Sequence, residues 1–502
     1  MKKSKRLSTI YILFATLLLT SCSKWLDIKP ETEIDRTELF STEDGFKEAL
    51  LGIYIRASKT DLYGKELTVG TPEVLAQNYM ISSIDPFRYK ATAEFKYDDQ
   101  YFIARKDNIW KGLYNGIVNA NLILENIDKR RNIFLGNNYN IIKGEALALR
   151  AYFHFDALRL FAPSYKQAAT AKAIPYVTKY SNLSTPFGSV SEVIDSITYD
   201  LEKSKVLLEK DPIRSNSYRI GYPTQTDTLL NSELSNPDLF LQNRRHRMNY
   251  YAVCATLARV YLYKGDTEKA LENAKEIIDA KKFPWTNTTD FIAVEEKNKD
   301  RILYKELIFG WYIPSLSTDL NSNWFSNGSS GMHLEQIDAQ SIYETSGIGA
   351  TDIRYMHWFM TVSSGNNYIS EIVKYRRNSL SDNESANLHY LMAPAIKLSE
   401  VYLIAAECVY DTNPTQAIQY LDEIRKNRGI GQTTSVSDKQ AFLQEILKEL
   451  RKDAFAEGQI FYAYKRLHLP IVGLQGKVFQ PDNKIFVLPL PDDELIYGNQ
   501  KD

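Results

Sequence analysis

Residues 249–281, NYYAVCATLARVYLYKGDTEKALENAKEIIDAK, constrain the fold more than any other stretch. Apolar residues recur at helical spacing on both sides of Lys264-Gly265-Asp266, where the glycine supplies a helix C-cap and Asp266 or Thr267 opens the next helix. Ala258, Tyr261, Gly265, Ala270 and Ala274 put small residues where two antiparallel helices must approach closely. Residues 395–428, AIKLSEVYLIAAECVYDTNPTQAIQYLDEIRKNR, repeat the design, with a turn at 411–414 and Gly429 as the stop. Neither pair can bury its apolar faces alone, so such pairs stack into one mainly α body.

Further helices are predicted to join that body. Residues 42–57 start at Thr42, carry Glu43 and Asp44 in the first turn, and place Phe46, Ala49, Leu50 and Ile53 on one stripe. Residues 110–127 continue the pattern through Trp110, Leu113, Tyr114, Ile117, Asn121 and Leu124. The segment 144–162 is apolar almost all round, which marks a helix packed on several sides, and Pro163 stops it. A last helix covers 438–457 and ends at Gly458. The two pairs resemble tetratricopeptide units, although periodicity alone also suits a generic helix bundle. Between the helices lie long irregular regions, 60–109 and 283–394, and a shorter polar excursion over 211–244. Long insertions of this kind are usually functional loops.

The N-terminus opens with Lys2, Lys3, Lys5 and Arg6, runs apolar over 10–19 and reaches Leu19-Thr20-Ser21-Cys22. That run is too short for a hydrocarbon core needing about 20 residues, so it reads as an export signal over 1–21. The four residues resemble a bacterial lipobox, which makes Cys22 the lipidation site and lipid chains on it the anchor; a plain signal peptide with a chance cysteine is the alternative. Ser23 rather than Asp follows the cysteine, which points to the outer membrane. Lys and Arg total 61 against 62 Asp and Glu, so nothing favours a phosphate backbone, and nucleic acid is not an expected partner. With 44% hydrophobic and 25% charged residues the chain is neither disordered nor polytopic in a membrane. Cys254 and Cys408 sit in apolar helical surroundings as small buried thiols.

Chemistry-bearing motifs are sparse. His154, His246, His333, His357, His389 and His468 form no HExxH and no metal-ligand spacing, so no metal and no cofactor is expected. GxSxG, the P-loop and a dinucleotide fingerprint are missing as well. Paired carboxylates for glycoside hydrolysis stay open, because only their separation in space decides. Glu145, Arg150, His154, Asp156 and Arg159 on one buried helix, and Glu449, Arg451, Glu457 and Arg466 near another, read as structural pairs rather than as a site.

Several stretches together resemble the SusD/RagB family of outer-membrane nutrient-binding lipoproteins, over nearly the whole chain. They are the lipobox with Trp25-Leu26-Asp27 and Pro30, Trp110-x-x-Leu113-Tyr114 with Ala120-Asn121, and Gly144-Glu145-Ala146 with Leu149-Arg150-Ala151-Tyr152-Phe153. Leu257 to Leu262, Leu398-x-Glu400-Val401-Tyr402-Leu403-x-Ala405-Ala406-Glu407 and Pro489-x-Pro491-x-x-Glu494-Leu495 follow in the family's order. Ala463 and Asn499-Gln500 depart from its usual Asp and Asn-Pro. The resemblance implies a mainly α, tetratricopeptide-like scaffold with a loop-rich insertion lobe. Its divisions would be a signal peptide over 1–21, an N-terminal helical region over 22–225 and a C-terminal region over 226–502 that includes the insertion 283–394. It also implies no catalysis, a SusC-like TonB-dependent transporter as partner, surface exposure, and a glycan or an oligopeptide as ligand. A surface glycoside hydrolase and a scaffold for proteins alone are the competing readings.

Aromatic residues outside the helical stripes are the expected ligand contacts: Tyr79, Phe87 and Tyr89 in the first insertion, and Trp311, Trp324, Phe325 and Trp358 in the second. Asn321, Asn323, Ser326 and Asn327 flank Trp324-Phe325 with amides and hydroxyls able to bond sugar or peptide groups. The competing role for such rings is to pin long loops to the scaffold.

Overall fold

A computed structural model describes residues 36–498 apart from 182, 296–297, 326–329, 366 and 378–386. The export signal, Cys22, the arm at 25–30, residues 326–327 beside Trp324, and Asn499-Gln500 lie outside the described residues.

Helix α1 (Glu43–Ala57) starts where the Thr42 hydroxyl accepts the Gly45 N–H at 3.1 Å, and it buries Phe46, Leu50 and Ile53. Helix α2 (Gln100–Ile127) begins ten residues earlier than its apolar stripe suggests. Asp99 caps it, and its first turns hold Arg105, Lys106 and Asp107, which interrupt the stripe while Phe102 and Ile109 stay buried. Helix α3 (Asn138–Phe161) is buried over nearly its whole circumference because α2 and α4 (Val190–Leu207) flank it and α1 touches it too. A Cβ on Gly116 of α2 would come within 2.6 Å of the Phe153 ring on α3, so glycine there sets how closely these helices approach. Ser189 and Glu192 form a capping box at the start of α4.

The predicted pairs are present. Helices α5 (Tyr250–Lys264) and α6 (Thr267–Ala280) join at Gly265, whose φ of +87° is the left-handed C-cap, and Asp266 accepts the Lys269 N–H at 3.1 Å. Helices α7 (Leu398–Val409) and α8 (Pro414–Lys426) form the second pair, followed by α9 (Lys439–Asp453) and α10 (Ile460–Leu467). Each of α1 to α8 packs on its neighbour in the chain, α6 on α7 included, so the helices stack in sequence order. That succession is consistent with tetratricopeptide-like stacking. Among the described residues no helix is long and apolar enough to cross a membrane.

The region expected to be irregular, 283–394, contains short strands. Strand β1 (Leu307–Tyr312) pairs antiparallel with β5 (Met392–Lys397), from Leu307 opposite Lys397 to Tyr312 opposite Met392. Strands β2 (His333–Glu335), β3 (Phe359–Ser364) and β4 (Asn367–Ile372) form a second antiparallel sheet in the order β2-β4-β3. Such short strands, set among Asn, Ser and Gly, leave too few alternations to read as period two.

Buried charges bolt this lobe to the helices. Arg428 after α8 donates to Glu306 at 2.6 Å and to Asp453 at 2.7 Å. Lys397 bonds Glu457 at 2.8 Å, Lys374 bonds the same carboxylate at 2.6 Å, and Arg354 lies 2.7 Å from Glu449. Burial alone would raise the Glu449 carboxyl; Arg354, Lys452 and Arg425 outweigh it and hold the group at about 2. Asp453 is likewise held far below the usual carboxylate range, by Arg428, Lys397 and Arg354 against its burial.

Candidate functional site

The charged residues read as structural pairs are engaged within the protein. Glu145 accepts from Tyr54 and Arg244 at 2.7 Å and from Arg247 at 2.8 Å; Arg150 donates to Asp200 at 2.7 Å; Asp156 pairs with Arg159 and accepts from Tyr63 at 2.6 Å. His154 donates from Nδ1 to the Arg150 carbonyl at 2.8 Å and accepts the Val177 N–H at Nε2 at 2.9 Å. Burial lowers its pKa to about 3, so the ring is neutral, as that bonding pattern requires. Arg466 is paired with Glu407 at 2.6 Å, and Arg451 donates to Asn78 at 2.9 Å.

The loop aromatics expected to offer free faces are mostly enclosed. Tyr79, Phe87, Tyr89, Trp324 and Phe325 come together in one cluster that joins the two insertions. The Trp324 ring lies 4.8 Å from Phe87 and 5.2 Å from Tyr89, with the Lys65 amine over it at 5.3 Å. Phe325 lies 6.0 Å from Tyr79, and Tyr89 donates to Glu66 at 2.6 Å beneath the Arg105 guanidinium. Phe87 alone of the five is only partly buried. Trp358 stands apart, with the Lys374 amine 4.0 Å from its ring and its N–H donated to the Arg301 carbonyl at 2.7 Å. An aromatic ring without a helical partner is therefore not an exposed ring here, because each long loop gains apolar burial by tucking its rings inward.

Trp311 is buried as well, stacked on Tyr63 at 4.3 Å and 12°, yet it lines a cavity of about 890 Å³. Three pieces of chain build the wall: the C-terminal half of α1 with the turn after it, residues 239–247, and the end of β1 with residues up to Asp319. The strand alternation at the end of β1 turns Trp311 inward and leaves Tyr312 45% exposed at the cavity. Tyr312 lies parallel to His246, ring centres 5.9 Å apart at 3°. His246 is braced by the Tyr390 ring at 4.8 Å and 86°, with Nε2 3.3 Å from the Tyr304 hydroxyl. Burial first, then Arg245 and Arg247, lower the His246 pKa to about 3, so this support is an uncharged ring.

Arg247 closes the back of the cavity, with its guanidinium 3.9 Å over Phe240 and a 2.8 Å bond to Glu145. Two buried donors in this wall, Arg247 Nε and Trp311 Nε1, have no hydrogen-bond partner among the described residues. Leu51, Ile55, Leu239 and Pro314 supply apolar surface, while Lys59, Gln242, Asn243 and Asp319 supply polar groups. The arrangement suits binding: a large, mostly apolar hollow, an aromatic platform and a few placed polar groups. Among the described residues no cluster of His, Cys, Asp or Glu is arranged to hold a metal. Of these residues, sequence reasoning singled out Trp311 and missed Tyr312, His246 and Arg247. The pair Trp311-Tyr312 at the end of an apolar run was the available signal for Tyr312.

A family model described as "Starch-binding associating with outer membrane" matches residues 24–221, and one described as "SusD family" matches 360–493. SusD-like protein P2 of Formosa agariphila is 23% identical and covers 97% of this chain and 97% of its own length. A SusD superfamily protein of Bacteroides thetaiotaomicron superposes with a TM-score of 0.69 at 22% identity, covering 92% of this chain and 99% of its own. A SusD-like carbohydrate binding protein of Bacteroides vulgatus gives 0.69 at 18% identity over 91% and 97%.

Proposed function

Because this chain belongs to the SusD family, we propose that it is a non-catalytic, lipid-anchored protein of the outer-membrane surface that captures oligosaccharides beside Tyr312 and delivers them to a SusC-like TonB-dependent transporter. The observation that carries this reading is the half-exposed Tyr312 ring, backed by His246, on the wall of a cavity of about 890 Å³. A flat, half-exposed ring beside a parallel neighbour is a stacking surface for a sugar face, and Gln242, Asn243 and Asp319 line the same cavity with groups able to bond hydroxyls. Asp319 is the one carboxylate among the described lining residues, whereas glycoside hydrolysis ordinarily uses two, which supports binding over turnover. Lipidation at Cys22 would supply the tether.

The exposed Leu51, Ile55 and Leu239 around the same cavity favour a second reading, an oligopeptide ligand with apolar side chains. Calorimetry of the purified protein against defined oligosaccharides and oligopeptides distinguishes the two. Tyr312→Ala is expected to weaken capture about thirtyfold, roughly 2 kcal/mol, with an unchanged melting temperature. Unchanged affinity in a normally folded variant moves the ligand elsewhere, and release of shortened products would establish an enzyme. Isolation from native membranes in mild detergent should bring down a large barrel partner; repeated recovery of a lone monomer counts against the transporter.

A further inference from the structure

A second crevice, of about 260 Å³, lies between the insertion lobe and the helical body and shares no lining residue with the Tyr312 cavity. One wall is the helix Gln336–Tyr343, another is the end of α9, and α10 contributes Tyr464. The turn at 473–476 closes it, with Gln475 and Gly476 in left-handed conformations at φ +55° and +71°. Arg451 holds that turn in place by donating to the Val472 carbonyl at 2.7 Å.

The chemistry centres on Asp338, which is 6% exposed. One carboxylate oxygen accepts the Gln475 N–H at 2.8 Å; the other is buried with no partner among the described residues. The crevice's other acid, Glu344, is already answered by Lys448 at 3.0 Å and Lys452 at 2.6 Å. A buried acceptor left unpaired costs about 1–3 kcal/mol, and more for a charged group, so a small turn of the Asp338 side chain toward a donor in the crevice would be favoured. The crevice is lined by two acids, Asp338 and Glu344, and two bases, Lys448 and Arg451, so no net charge calls for an added ion and neutral O–H donors suit it. Tyr464 adds a phenol, and Ile342, Leu447 and Leu474 add apolar surface suited to the C–H face of a ring. The volume falls below the roughly 300 Å³ at which pockets begin to take larger ligands, so it fits one ring rather than a chain.

We propose that this crevice is a separate binding site for a single pyranose, with Asp338 accepting its hydroxyls and Tyr464 beside it. The site is independent of the capture assigned to Tyr312. Saturation-transfer NMR on the full chain with methyl β-D-glucopyranoside, methyl β-D-galactopyranoside and methyl α-D-mannopyranoside tests it. Transfer to at least one of the three is expected, weakened at least tenfold by Asp338→Asn, which preserves the acceptor for Gln475. Ser341→Trp, an exposed position on the rim, should abolish it, while Tyr312→Ala should leave it intact. Absence of transfer to all three sugars overturns the proposal. So does a signal that Tyr312→Ala removes and Ser341→Trp keeps, since the sugar would then sit in the first cavity. Calcium chloride serves as the cation probe, and crystals showing a calcium ion on Asp338 in place of a sugar would also overturn it.

Discussion

Trp324 is enclosed by Phe87, by Tyr89 and by the Lys65 amine, and 1% of its surface reaches solvent. Truncating so large a buried ring leaves a cavity that its neighbours only partly fill. Trp324→Ala is therefore expected to cost about 3–5 kcal/mol of stability, read in denaturant unfolding, with ligand affinity unchanged in the folded fraction. A drop in affinity with no loss of stability would return Trp324 to the ligand site. What the sequence shows at this scale is which rings have no helical partner; which way each ring faces depends on contacts between residues hundreds of positions apart. Tyr312 escaped notice for the converse reason: it follows Trp311 in an apolar run and only the pleat of β1 sends it outward.

Helix junctions were the most legible elements, because turn chemistry is local. Gly265 ends α5 at φ +87°, and a Cβ added there meets nothing among the described residues within 4 Å. The cost of Gly265→Ala is thus conformational alone. We expect about 1 kcal/mol of destabilisation, seen as a lower denaturant midpoint with an unchanged slope and unchanged binding. A neutral result would mean the α5–α6 turn relaxes to another cap. The start of α2 was harder to see, since Lys106 is a charged residue on a buried face, where its amine bonds Asp107 at 2.6 Å and the Leu490 carbonyl at 3.3 Å. Helical periodicity cannot anticipate such a pairing with residues near the C-terminus. The strands of the insertion lobe stayed hidden for a related reason, their partners being set by long-range register.

Across the whole molecule, Arg428 joins Glu306 at the base of the lobe to Asp453 at the end of α9, with all three side chains buried. Arg428→Leu strips both carboxylates of their shared cation. The expected loss is about 3–5 kcal/mol, accompanied by faster limited proteolysis within 283–394. If that variant melts like the parent, the lobe is held by its apolar contacts instead. That the helix pairs stack into one body followed from their apolar faces, whereas their order, and the ion pairs that join lobe to stack, are revealed by no pattern along the chain.

The wall around Tyr312 draws on residues near positions 54, 243 and 312, so no short stretch of chain contains enough of it to hold anything. Loop closure over such separations comes late, after local helices have formed. A molecule halted with its helices formed and its lobe unjoined would give a nearly complete helical circular-dichroism spectrum and capture no ligand. Retention on an immobilised ligand therefore counts finished molecules, and turns the binding site into a selective assay for complete folding.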